Sequence, residues 1–161
     1  MNSLPWLVSV AKKLAANGYS GFDPAGCEPL GLKYAARRTR SASLGIGTVE
    51  DLFTFADAED LDEATLASYS RLSFDFARSN MSGVRGSFDN LLCYSIAVTE
   101  NLDHQLAMRI QGATPPIHRN ALQMSVAVDL ARGQVTYFQG TSLWGLGYGD
   151  EMRREIETML R

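Results

Sequence analysis

Histidines, cysteines and acidic residues are the side chains from which this sequence could build a metal centre. The two histidines, His104 and His118, lie on different elements, and the two cysteines, Cys27 and Cys93, form no CxxC pair. Structural zinc sites and metalloprotease helices use His and Cys at short, fixed spacings, and neither HxxxH nor HExxH occurs. In the acidic stretch 50–63, Asp60, Asp62 and Glu63 are explained as cap and first-turn residues of a following helix, whose dipole favours negative charge. The sequence therefore predicts no metal and no cofactor.

A catalytic nucleophile has no recognisable partner in this sequence. No GxSxG elbow is present, and Cys93 falls in an apolar run, where burial makes a thiol unreactive. Asp129 precedes a predicted turn, but the strand after it carries no Glu-x-Lys pair, and every lysine lies before residue 34. A metal nuclease would need that second carboxylate and that lysine. No catalytic residue is predicted.

Two loops hold the remaining groups that could contact a ligand. Residues 114–120 join a double proline to an imidazole, a guanidinium and an amide, and residues 140–149 set two large aromatics on a glycine-rich backbone. At the edge of a sheet such groups can form a cleft. Alternatively, the first loop is only a rigid connection, and the aromatics of the second only cover the sheet. The candidate ligand-binding residues are His118, Arg119, Asp129, Trp144 and Tyr148.

A β-hairpin over residues 124–138 is the clearest structural signal in the chain. Two runs rich in β-branched and aromatic residues flank the sequence Ala-Arg-Gly-Gln at residues 131–134. Gly133 can adopt a positive φ in such a turn without a steric penalty. We therefore predict two antiparallel strands joined by a short turn.

Helices and strands are predicted to alternate along the rest of the chain. Residues 91–98 are almost continuously apolar, which is typical of a strand buried on both faces. A short helix separates this strand from the first hairpin strand, so a right-handed crossover should make the two strands parallel. Expected N-caps are Ser3, Asp62, Asp103 and Asp150. The expected bounds are helices at residues 4–16, 62–78, 101–112 and 150–161, and strands at residues 32–38, 49–56, 91–98, 122–130 and 134–138.

These elements predict an α+β fold. We expect a mixed central sheet of about four or five strands with helices packed on it, in the order α-β-β-α-β-α-β-β-α. A chain of 161 residues with 45% hydrophobic and 20% charged residues suits a single globular domain, residues 1–161.

The composition and charge pattern of the sequence limit the classes of partner that are expected. The net charge of −3 and the lack of aromatics around the basic run 37–40 argue against nucleic acid. The N-terminal apolar stretch lacks the basic start of a signal peptide, and no run is long enough to span a membrane, so we expect a cytoplasmic location.

Two functional hypotheses follow from the sequence. The first is a small soluble non-catalytic protein that binds a macromolecular partner or a second copy of itself through a sheet edge or the aromatic loop. The alternative is a small-molecule-binding protein or enzyme with a cleft formed by residues 114–120 and 140–149. The absence of any recognised catalytic spacing favours the first hypothesis, although fold class alone does not decide function.

Overall fold

The computed structural model describes residues 2–42, 47–81, 90–141 and 147–161. None of the helices in these ranges is long and apolar enough to cross a membrane. The helices are α1 (Leu4–Ala16), α2 (Pro24–Cys27), α3 (Glu63–Ser79), α4 (His104–Gly112) and α5 (Tyr148–Leu160), and a 3-10 turn spans Glu28–Leu30. The strands are β1 (Ser20–Gly21), β2 (Tyr34–Ser41), β3 (Thr48–Asp57), β4 (Asn90–Thr99), β5 (Ile117–His118), β6 (Ala121–Asp129) and β7 (Gln134–Thr136).

These strands form one mixed sheet, which confirms the α+β class. Its order is β1-β2-β3-β4-β6-β5, with β7 also paired to β6. Strands β3, β4 and β6 are parallel, as predicted for the last two, and β2 lies antiparallel to β3. The described chain has seven strands rather than four or five, since β1 and β5 are only two residues long and leave no alternating pattern in the sequence.

The predicted hairpin is confirmed, and it shares one sheet edge with β5. Strand β7 is antiparallel to β6 over residues 127–129, and Gly133 in the turn has a φ of 61°. Strand β5 pairs with the opposite end of β6, at Ala121 and Leu122. Within the described ranges, no strand covers the outer edge of β6 between these two pairings.

Helices cover both faces of the sheet, and the side chains of the strands alternate between them. On one face α1 and α5 bury one set of strand residues, such as Phe53, Tyr94 and Val126. On the other face α3 and α4 pack over smaller residues, including Cys93 and Ala127. Strands β4 and β6 read as apolar runs because both of their faces are buried.

The capping predictions are partly confirmed. Asp62 and Asp103 accept hydrogen bonds from the N–H groups of Thr65 and Leu106, at 2.7 and 3.0 Å. Ser3 precedes α1 but does not cap it, because its hydroxyl donates to Asp57 Oδ1 at 2.6 Å on the neighbouring strand. The prediction of Asp150 as a cap is wrong. Helix α5 begins two residues earlier, after Gly147, whose left-handed conformation has a φ of 94°.

Candidate functional site

A cleft opens on the α3–α4 face of the sheet, beside the uncovered edge of β6. Its volume is about 470 Å³. Two helices form its sides, the segment 113–116 closes one end, and β6 supplies the floor. Apolar side chains make up most of the wall: Leu66 and Phe74 from α3, Leu106 and Ile110 from α4, Pro115 from the connecting segment, and Phe138 after β7.

The floor of the cleft is polar. Gln123 and Ser125 alternate with apolar residues along β6, so both side chains point from the same face toward α3. The hydroxyls of Ser125 and Ser70 form a hydrogen bond of 2.7 Å. The Gln123 side-chain amide donates to the main-chain carbonyl of Ser70 and, at 3.4 Å, to Ser95 Oγ. Polar side chains therefore meet where the helix and the strand are in contact.

His118, one of the predicted ligand-binding residues, lies in the wall of this cleft. Its ring stacks on Phe74 with centroids 3.9 Å apart and an interplanar angle of 23°. The Nε2 atom is buried and has no hydrogen-bond partner among the described residues. In this position the imidazole serves as part of an aromatic wall, and no described hydroxyl or thiol is bonded to it as a nucleophile would be.

The other predicted ligand-binding residues are not brought to the cleft by the described structure. Arg119 is exposed in the turn between β5 and β6, beside Asn120, whose φ is 58°. Tyr148 is half-buried at the start of α5 and packs on the opposite face of the sheet. Trp144 lies outside the described residues. Their role in ligand binding stays a prediction.

Asp129 lies at the end of β6 and anchors the hairpin turn. Its carboxylate is fully buried and accepts hydrogen bonds from the N–H groups of Leu102 and Arg132, both at 3.1 Å. The Arg132 guanidinium adds an ion pair at 2.7 Å. Burial opposes the charged form, but these donors outweigh it and lower the pKa of Asp129. The carboxylate is thus occupied by its own turn and by the connection between β4 and α4.

Charged side chains stand at the rim of the cleft. Glu63 and Arg109 form an ion pair between α3 and α4, and both are exposed. Arg71 lies on the rim as well and is exposed on α3. Arg109 is neutralised by Glu63, and Arg71 adds a further positive charge at the rim. This net positive charge disfavours cationic ligands.

The structure offers no metal centre or reactive thiol within the described ranges. No group of three or more His, Cys, Asp or Glu residues in these ranges could hold a metal ion. Cys27 and Cys93 are both buried and free. Burial raises the pKa of the Cys93 thiol to about 12, and burial with nearby Asp23 raises the pKa of Cys27. Both thiols are therefore protonated at neutral pH.

A second polar cluster lies on the opposite face of the sheet, under α5. Asp51 is fully buried and accepts from Arg38 Nη2 at 2.9 Å and Arg40 Nε at 2.8 Å. The same two arginines reach α5, where they pair with Glu155 and Glu151. The acidic groups are satisfied by the arginines, so the cluster fastens α5 to the sheet. Two arginines of the basic run 37–40, Arg38 and Arg40, thus belong to an ion-pair network between the sheet and α5.

Sequence reasoning missed the polar floor. Its signal was available in part, because Gln123 and Ser125 interrupt an otherwise apolar buried strand on one face only. A buried polar residue requires a partner, and the partner here is Ser70, far away in the sequence. Only the packing of α3 on β6 brings these residues together.

Comparison with known proteins adds no assignment to this geometry. No family model, no curated protein and no solved structure matches the chain. What the cleft binds is therefore inferred from its own residues.

Proposed function

We propose that this protein binds a small, largely apolar molecule in the cleft between α3 and α4. The observation that supports this function most is the composition of the cleft, which has apolar and aromatic walls above a few convergent polar groups. Ligand sites typically have this form, with volumes of about 300–1,000 Å³. The cleft, at about 470 Å³, lies inside that range.

The walls favour a flat or ring-shaped ligand. Phe74 and His118 already stack on each other, and Phe138 lines the cleft as well. Apolar surface that a ligand covers here contributes about 25 cal/mol per Å². A ring packed against these side chains would also gain the favourable contacts of offset or edge-on aromatic pairs.

Binding without chemical conversion is the better supported form of this proposal. The hydroxyls of Ser70 and Ser125 are bonded to each other at 2.7 Å, and not to a histidine or carboxylate that could activate them. His118 uses its ring face in the wall, and its Nε2 is buried. General base catalysis would require a nitrogen within reach of a substrate proton.

Calorimetric titration with small ring compounds tests the proposal. Indole, acetophenone and benzamide are suitable probes, since each pairs an aromatic ring with few polar atoms. Ala67→Trp should abolish binding of all three, because Ala67 lines the cleft from an exposed position on α3. Ala15→Trp, an exposed position on α1 at the opposite face, is the matched control and should bind like the wild type. Absence of binding by all three probes would contradict the proposed function.

The wider setting of the protein is also part of the proposal. The free, buried cysteines suit a reducing compartment such as the cytoplasm. Association with a protein partner or a second copy is compatible with exposed apolar side chains on α1, where Leu4 is 64% exposed and Val8 46%. If sedimentation finds only monomer over a wide concentration range, the proposed self-association is contradicted.

A further inference from the structure

The hydrogen-bonding groups on the floor of the cleft narrow the class of ligand, if the proposed function holds. We propose that the ligand carries a carboxamide or lactam group, with an N–H donor and a C=O acceptor on adjacent atoms. This inference depends on the orientation of Gln123 and on the paired hydroxyls of Ser70 and Ser125.

The orientation of the Gln123 amide is determined by its neighbours. Its nitrogen donates to the Ser70 carbonyl and to Ser95 Oγ. A carbonyl can only accept, so the NH₂ group must face it, and a flipped amide would set two acceptors against each other. Both protons of the Gln123 nitrogen are thereby engaged. The remaining group is Oε1.

The side-chain oxygen of Gln123, Oε1, is the acceptor on which the inference depends. Within the described ranges no donor is bonded to it, and the residue lines the cleft while only 5% exposed. An acceptor at such a place is satisfied by water or by a ligand that presents an N–H or O–H group. A ligand without a donor would displace the water and leave the oxygen unpaired, which weakens binding.

The paired serines supply the complementary donor. In the contact of 2.7 Å one hydroxyl donates its proton to the other, so one of the two hydroxyl protons is not used between them. Ser125 lies two residues from Gln123 on the same face of β6, which puts the two side chains about 7 Å apart at their bases. Their tips can therefore contact neighbouring atoms of one ligand group.

A carboxamide or lactam satisfies both groups at once. Its N–H can donate to Gln123 Oε1, and its carbonyl can accept the hydroxyl proton that the two serines do not use between them. A carboxylate offers only acceptors to Gln123, and a ketone or hydrocarbon leaves Oε1 without a donor. The apolar walls then hold the ring or chain that bears the amide, with Phe74 and Phe138 on its sides.

The test compares ring compounds that differ only in their polar group. Dissociation constants are measured by calorimetry for benzamide, acetophenone, benzoate and benzyl alcohol with the full chain. We expect benzamide to bind about tenfold or more tightly than the other three, since each lacks one of the two paired contacts or places both on one atom. Equal binding of acetophenone and benzamide would overturn the inference while leaving the proposed function intact. Equal or tighter binding of benzyl alcohol or benzoate would do the same.

Variants of the floor test the same point from the side of the protein. Gln123→Met keeps the length of the side chain but removes the acceptor. Benzamide should then bind more weakly and acetophenone no more weakly than to the wild type, so the preference for benzamide over acetophenone should disappear. Ser125→Ala is a second variant that removes less of the side chain, and it should also weaken the binding of benzamide. Gln105→Met, at an exposed position on α4, is the matched control and should bind benzamide normally. Unchanged benzamide preference in folded Gln123→Met would refute the assignment.

Discussion

Replacement of Asp129 tests whether this buried carboxylate is a structural anchor rather than a ligand-binding group. Asp129→Ala removes the acceptor for the N–H groups of Leu102 and Arg132 and for the Arg132 guanidinium. A hydrogen bond to a charged group contributes about 1.5–3 kcal/mol to the free energy of unfolding. Arg132 is exposed and can turn to water, whereas Leu102 is only 3% exposed and its N–H stays buried without a partner.

The expected loss for Asp129→Ala is therefore about 2–4 kcal/mol, most of it from the Leu102 N–H. Urea denaturation at neutral pH measures the loss. Asp62→Ala is the matched control, because this carboxylate also accepts a main-chain N–H, at 2.7 Å, but at an exposed N-cap. An exposed cap of this kind should contribute less to stability than the buried Asp129 carboxylate. A loss no larger than that of the control would refute the anchoring role.

The contribution of Asp129 to the free energy of unfolding should also depend on pH in a definite direction. The folded-state pKa of Asp129 is lowered, so the unfolded chain binds its proton first and the stabilisation is present above about pH 4. The stabilisation is lost as the pH falls through the folded-state pKa. The stability difference between the wild type and Asp129→Asn should thus be constant from pH 7 to 5 and shrink below about pH 4. A difference that does not change in acid would contradict the lowered pKa, and altered benzamide binding by the variant would place Asp129 in the site.

Three further substitutions test the fold. Gly133→Val should cost about 1–2 kcal/mol or more, because the turn holds this residue at a φ of 61°, and an unchanged urea midpoint would contradict the strain. Val128→Asp should lower the free energy of unfolding by more than about 4 kcal/mol, since Val128 is 2% exposed in the core. An unchanged thermal transition would show that this strand does not lie in the core. Asp51→Asn should cost about 3 kcal/mol or more, because Arg38 and Arg40 lose the buried charge they share, and a loss under about 1 kcal/mol would show that this network does not fasten α5.

The main elements of the fold could be predicted because each carries its own local signal. The run at residues 91–98 is apolar on both faces, and Gly133 lies between two strand-forming segments, so the interior strand and the hairpin follow from the sequence. Two-residue strands such as β1 and β5 carry no such signal. Ser3 has the residue type of a cap, but its hydroxyl bonds to Asp57 on β3, and this contact depends on tertiary packing.

The candidate site could be predicted only in part. His118 was predicted as a ligand-binding residue because residues 114–120 combine a double proline with an imidazole, a guanidinium and an amide, and the structure puts this side chain in the wall of the cleft. The sequence cannot tell whether an aspartate such as Asp129 binds a ligand or stabilises a turn. Only the positions of Leu102 and Arg132 in the fold distinguish the two roles. Ser70 looked like one of many polar residues on a helix, because its contact with Ser125 joins positions 55 residues apart.

The most direct test of the central claim is to map benzamide binding on the amide spectrum of the isotope-labelled protein. If the cleft between α3 and α4 is the ligand site, saturable shifts should concentrate on the amides of Ser70, Phe74, Gln123 and Ser125, and the Ala67→Trp variant should lose them. Residues on the opposite face, such as Val10 and Ile156, should not respond. Shifts centred on α1 and α5, or no saturable shift at all, would contradict the proposal that this cleft binds a small molecule.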